Sequence, residues 1–159
     1  MGALLPTAKH FAPLDADIEI DLPGGRKEKV QIYKAVSDAN QCVGWSFNAG
    51  GEGFSGKIEL VVATDRLLQK IAGFNILTSS ETPGFGDKIK TVYFRNQFAG
   101  APAGNLNLTR TGNHITIDSE IVAITGATVS SKAVVNILNN YLSKIKDQMT
   151  QKELITNGR

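Results

Sequence analysis

Cysteine is almost missing from this chain. Cys42 is the only one, so neither an internal disulfide nor a cysteine-rich metal or iron–sulfur site can be assembled from these residues alone, and its expected place is the core. Histidine is equally scarce. His10 and His114 stand apart, with no cysteine nearby and no spacing that suggests a catalytic triad or a zinc site. Long apolar runs are lacking too: stretches such as Leu60-Val61-Val62-Ala63 fall far short of the roughly 18 residues that cross a bilayer, and no charged-then-apolar signal segment opens the chain. As given, the chain reads as soluble. There is little excess charge of either sign, with 17 basic and 15 acidic residues and a net charge of +2. The basic residues are dispersed rather than striped among aromatics, which argues against a nucleic-acid partner. What remains is an ordinary globular composition, 42% hydrophobic and 20% charged in 159 residues, enough for one domain with a real core.

The pattern along the chain predicts an α+β fold. Residues 1 to 16 show no period and read as an irregular lead-in. Asp17 to Leu22 alternates acidic and apolar residues as a half-exposed strand does, and Pro23-Gly24-Gly25 ends it. Asp15, Asp17, Glu19 and Asp21 suggest a cation site less readily than a solvated acidic strand face. Lys29 to Val36, Cys42 to Phe47, Lys57 to Ala63 and Gln69 to Leu77 read as further strands, separated by turn signals at Asp38 to Asn40, Asn48 to Gly53 and Thr64-Asp65. Such close spacing favours antiparallel hairpins. Ile89 to Phe98 is a short helix or strand, and Leu106 to Thr109 with His114 to Asp118 forms a hairpin around Arg110 to Asn113. Val134, Ile137, Leu138, Tyr141, Ile145 and Met149 recur at three- and four-residue steps, predicting an amphipathic helix from about Ser130 to Met149. The expected fold is a mainly antiparallel twisted sheet packed against this C-terminal helix and one or two short helices.

Two stretches carry chemistry. Thr125-Gly126-Ala127-Thr128-Val129-Ser130-Ser131 is a hydroxyl-rich turn that opens the predicted helix. Unpaired N–H groups and the positive end of the helix dipole favour a phosphate there. In Glu81-Thr82-Pro83-Gly84-Phe85-Gly86-Asp87-Lys88, Pro83 stiffens the loop, Gly84 and Gly86 permit unusual backbone angles or close approach, and Phe85 sits at the tip. From residue types alone Phe85 either covers a flat ring or folds into the core. Other motifs are weaker. Gly51 to Lys57 matches the first part of a P-loop, but Ile58 replaces the required Ser/Thr and a strand follows. Asn107-Leu108-Thr109 fits a glycosylation acceptor, a pattern common by chance.

The TGAT sequence followed by a small residue and Ser-Ser resembles the flavin-attachment motif of FMN-binding domains. That family is found in the G subunit of the Rnf electron-transport complex and the C subunit of the Na+-translocating NADH:quinone oxidoreductase. The Glu81 to Gly86 loop resembles the family's Glu-Thr-Pro-Gly-Leu-Gly, with Phe85 in place of Leu. Weaker likenesses are Gly53-Phe54-Ser55-Gly56-Lys57-Ile58, Gly73-Phe74 and Gln97-Phe98-Ala99-Gly100, so the resemblance runs from about Lys29 to Leu142. It implies a lead-in and edge strand over 1–28, an FMN-binding domain over 29–150 and a tail over 151–159.

The resemblance also implies an electron carrier in a membrane respiratory complex. FMN would be tethered through a phosphoester to Thr128, with Thr125, Gly126 and Ala127 shaping the turn. Val129, Ser130, Ser131 and Lys132 would neutralise the phosphate, and Glu81, Thr82, Pro83, Gly84, Phe85 and Gly86 would lie beside the ring. Implied partners are the other subunits and a flavin transferase. The implied location is the extracytoplasmic side of the bacterial inner membrane, through an N-terminal anchor this chain does not carry. One position departs from the family: an aspartate usually precedes the motif where Val122 stands here. Covalent flavin, non-covalent flavin and a flavinless structural domain of the same complex therefore stay open, with a soluble FMN-dependent reductase ranked last because no His, Cys or paired acid stands beside either motif.

Overall fold

In the computed structural model, residues 4–16, 18–110 and 117–155 are described. Five strands form an antiparallel sheet in the order β1 (His10–Pro13), β4 (Ile32–Val36), β5 (Cys42–Glu52), β6 (Lys57–Thr64) and β7 (Ile71–Ser79). The remaining described strands form two small pairs. β2 (Ile18–Leu22) and β3 (Arg26–Val30) make an antiparallel hairpin, and β8 (Asn107–Thr109) runs parallel to β9 (Glu120–Val122). A short 3-10 turn at Gly86–Lys90 leads into α1 (Val92–Arg95), and α2 spans Thr128–Gln151.

The β2–β3 hairpin follows from its pattern. Ile18, Ile20 and Leu22 face the core, while Glu19 and Asp21 point outward opposite Lys29 and Lys27. Apolar side chains thus gain burial on one face, and residues of opposite charge stand in register on the other. The exposed acidic positions are a solvated strand face. β6, between β5 and β7, is buried on both faces through Leu60-Val61-Val62-Ala63: Leu60 and Val62 lie in the core with α2, and Ala63 lies under Leu5 on the other side. One face of the sheet packs on α2, whose Val134, Ile137, Leu138, Tyr141, Leu142, Ile145 and Met149 are all buried. The other face carries small residues, Ala35 and Ala63, covered by Leu5.

Several expectations change in detail. The lead-in contains β1, which pairs with β4 and extends the sheet. Lys29 to Val36 is two strands. The chain turns at Gln31, whose side-chain amide bonds Leu14 O and Ile32 O, and β3 and β4 then join different sheets. Asn48 to Gly53 is not a turn, because β5 runs on to Glu52 through Gly50-Gly51. A Cβ on Gly51 would stand 2.8 Å from Ile137 Cγ1, so glycine here admits the helix rather than bending the chain. Within Ile89 to Phe98 the 3-10 turn runs to Lys90, α1 covers Val92–Arg95 and the rest is turn, with Ile89, Phe94 and Phe98 fully buried. β8 exists as expected but pairs in parallel with β9; residues 111–116 of the expected hairpin lie outside the described residues, and Ile117 and Asp118 are not strand. α2 begins two residues early, at Thr128. Cys42 is half-buried rather than core, and its thiol is free.

Candidate functional site

Three chain segments distant in sequence meet beyond one end of the sheet. They are the β5–β6 turn with Phe54 and Ser55, the loop with Thr82, Phe85 and Gly86, and the start of α2 with Gly126 to Ser130. Together they line a cleft of about 480 Å³. That volume falls within the ~300–1,000 Å³ typical of small-molecule sites. Phe54 and Phe85 are 70% and 61% exposed, a large uncovered apolar area for two aromatic rings, and Val129 is exposed beside them. Phe85 is therefore not a core residue. Ser55 Oγ and Thr82 Oγ1, 3.2 Å apart, add a polar edge.

The floor of this arrangement is Glu81. Only 5% exposed, its carboxylate accepts hydrogen bonds from Phe54 N (2.7 Å), Ser55 N (2.6 Å) and Ser130 Oγ (2.7 Å). Burial pushes the carboxyl up, but the bonds from the Ser130 hydroxyl and the Ser55 and Phe54 amides outweigh that effect and hold its pKa below the ordinary glutamate value. The carboxylate thus faces protein, not the open cleft. Its presence also explains the glycines: a Cβ on Gly53 would collide with Glu81 Oε1, and one on Gly86 would stand 2.6 Å from Ser130 Oγ and 2.9 Å from Glu81 Cβ.

Thr128 is the first residue of α2 and is half-buried. The preceding turn positions it: Gly126 has φ +81°, open to glycine without strain, and Ala127 N–H donates to Ile124 O at 2.9 Å. No side chain caps the helix at Ala127, which leaves the amides of the first turn for an anion or water. Ser131 is not part of that set. Its amide bonds Ala127 O, and its hydroxyl donates to Ala127 O and accepts from Ile124 N, so it fastens the turn from inside. Thr128 also borders two smaller clefts on its other side. Arg110, Thr125 and Gly126 line one; Arg110, Lys132 and Asn107 line the other. Pro83 and Gly84 are exposed on the loop, and Gly84 N–H donates to Asp87 Oδ1 at 2.8 Å.

The sequence marks Phe54 only as part of a strand likeness and gives no sign of Arg110. A lone arginine at the end of a three-residue strand carries no local signal. Gln97 is hidden in the same way: buried, it donates to Val122 O (3.0 Å) and accepts from Val122 N (2.8 Å), acting as an extra strand beside β9 and fixing the approach to Thr125.

An uncapped helix start, approached by a turn of small residues and opening on one side to an apolar cleft and on the other to two cations, defines a domain suited to a phosphorylated molecule with a flat apolar part. FMN has both features and fits this residue set. The FMN-binding domain family matches residues 53–143, and the chain belongs to that family. It is 33% identical over 148 residues to the G subunit of an ion-translocating oxidoreductase complex of Methanosarcina acetivorans, covering 93% of this chain and 74% of that protein. It is 30% identical to the G subunit of the proton-translocating ferredoxin:NAD(+) oxidoreductase complex of Clostridium ljungdahlii, over 91% of this chain and 70% of the relative. Among solved structures, NqrC of Shewanella oneidensis shares the fold with a TM-score of 0.69 at 18% identity, covering 92% of this chain and 73% of that one. Among the described residues, no helix is long and apolar enough to cross a membrane.

Proposed function

We propose that this chain is the FMN-carrying electron-transfer part of an ion-translocating oxidoreductase complex, of the G-subunit type, with the flavin joined through a phosphoester to Thr128. The observation that carries the reading is the position of Thr128, a hydroxyl at an uncapped helix start between an apolar cleft and a cationic one. Forming the ester replaces a phosphate hydroxyl by the Thr128 oxygen, with net loss of water. FMN supplies the redox chemistry when bound.

The chain's own residues bind and orient. Amides of Thr128, Val129 and Ser130 face the phosphate, and Arg110 and Lys132 offset its remaining charge. Thr125, Gly126 and Ala127 keep the turn narrow enough for close approach. Phe54 and Phe85 cover the ring and exclude water, and Ser55 and Thr82 offer hydroxyls to its polar edge. Pro83 and Gly84 shape the loop that presents Phe85. The implied partners are the other subunits of the complex and a flavin transferase for maturation, with placement on the extracytoplasmic side through an N-terminal anchor.

The test is the intact mass and in-gel fluorescence of the denatured chain after co-expression with a flavin transferase. A gain of one FMN less water, mapped to Thr128 and lost in Thr128→Val, is the expected result. An unmodified, non-fluorescent chain overturns the covalent assignment and turns the question to non-covalent FMN. Failure to bind free FMN as well would favour a flavinless structural domain.

A further inference from the structure

We infer that Glu81 is the positioning residue of the cleft: its buried carboxylate joins the three walls and places an unneutralised negative charge beneath the cofactor. The inference rests on the FMN reading above for the effect on the flavin, but not for the joining of the walls. Each wall sends a donor or a backbone link to this one group. Phe54 N and Ser55 N come from the β5–β6 turn and Ser130 Oγ from α2, while Glu81 itself begins the Thr82 to Gly86 loop. The three donors lie 26, 27 and 49 residues away in sequence, so no local structure would bring them together otherwise.

The charge is set apart by being buried without a cation. The ion pairs among the described residues are Lys9–Asp38 and Lys57–Glu59, both on the surface, and Glu81 is held only by neutral donors. Neutral donors spread a carboxylate's charge but do not cancel it, and in a partly desolvated cleft the field persists over several ångströms. Adding electrons to a ring next to that field is opposed, so the carboxylate lowers the flavin's reduction potential. The cleft lining itself carries no charged side chain: Phe54, Ser55, Thr82, Phe85, Thr128 and Val129 are all neutral.

Three variants of the full chain separate geometry from charge. Glu81→Gln keeps the shape and the acceptor oxygen that serves Phe54 N and Ser130 Oγ, removes the charge, and turns an amide NH2 toward Ser55 N in place of the second acceptor. Glu81→Asp keeps the charge on a shorter arm, and Glu81→Ala removes both. Hydrogen exchange at the Phe54 and Ser55 amides, measured on the flavin-free chain, reads the joining of the walls. Slow exchange in the parent and at least roughly tenfold faster exchange in Glu81→Ala is expected, and unchanged exchange overturns the joining role. The midpoint potential of the flavin-loaded chain reads the charge. It should rise in Glu81→Gln and stay closer to the parent in Glu81→Asp; equal shifts in the two, or none in Glu81→Gln, overturn the electrostatic role. A parent chain that takes up no flavin defeats the FMN reading and with it the electrostatic role, while the exchange arm still decides the joining role.

Discussion

Replacing Gly86 by alanine tests the packing beneath the cleft. Gly86 is buried, and its added Cβ would stand 2.6 Å from Ser130 Oγ and 2.9 Å from Glu81 Cβ. Neither neighbour has an easy retreat. Ser130 Oγ is bonded to the Glu81 carboxylate at 2.7 Å, and Glu81 Cβ lies next to the main chain. Relief requires either rotating the serine away, which forfeits a hydrogen bond to a buried charge at about 1.5–3 kcal/mol, or shifting the backbone, at about 1–3 kcal/mol. Gly86→Ala should therefore lose about 2 kcal/mol, read as a shift in urea midpoint, or as a Tm lower by about 4–8 °C at this chain length. Gly84 is the control. It has φ +80° and open space around it, so Gly84→Ala suffers only backbone strain of about 1–2 kcal/mol. A double variant with Ser130→Ala removes the atom that Gly86→Ala strikes, and its loss should be about 1–2 kcal/mol smaller than the sum of the single losses. If Gly86→Ala costs no more than Gly84→Ala, or if the double variant is simply additive, the packing argument fails.

Two further predictions concern other parts of the domain. Gln97→Ala leaves both backbone groups of Val122 without their partner, a loss of about 2 kcal/mol, and amide exchange at Val122 should quicken while exchange in β6 does not; unaltered protection at Val122 would show that Gln97 does not hold β9. Tyr141 is buried and donates to Glu28, and burial followed by the hydrogen bond and charge of Glu28 raises its pKa well above the ordinary tyrosine value. A raised folded pKa contributes stability that is present below the unfolded value of about 10 and is lost as pH climbs beyond it. The stability difference between the parent and Tyr141→Phe should thus shrink between about pH 10 and 12, and a constant difference across that range would refute the assignment.

The features readable in sequence are those with a short period. Ile18-Glu19-Ile20-Asp21-Leu22 alternates because one face of its hairpin is wet, and the stripe from Val134 to Met149 repeats because one face of α2 is dry. β1 is hidden because His10-Phe11-Ala12-Pro13 has neither period nor strand propensity throughout; its pairing with β4 supplies the order. Gly50-Gly51 misleads in the opposite direction, since glycine marks turns and close approaches alike and only the position of Ile137 separates them. At the site, the two loop motifs are visible as motifs, while residue types alone leave Phe85 between ring cover and core and its exposure decides. What joins the motifs is not visible, because the bonds of Glu81 to Ser130 and of Gln97 to Val122 link residues 49 and 25 positions apart.

The head of α2 has one more implication. Thr128 is not on a flexible arm: it is the first residue of a 24-residue helix whose apolar side is locked into the sheet as far as Met149, and the turn before it is fastened from within by Ser131. A group borne there has only its own few bonds to swivel about. It cannot swing away from its own domain as cargo on a flexible linker does, so any movement toward a partner is a movement of the domain as a whole. On the FMN reading, a ring held in this cleft would lie beside the exposed Phe54 and Phe85, so a partner seated on those two side chains would shorten the distance an electron has to hop.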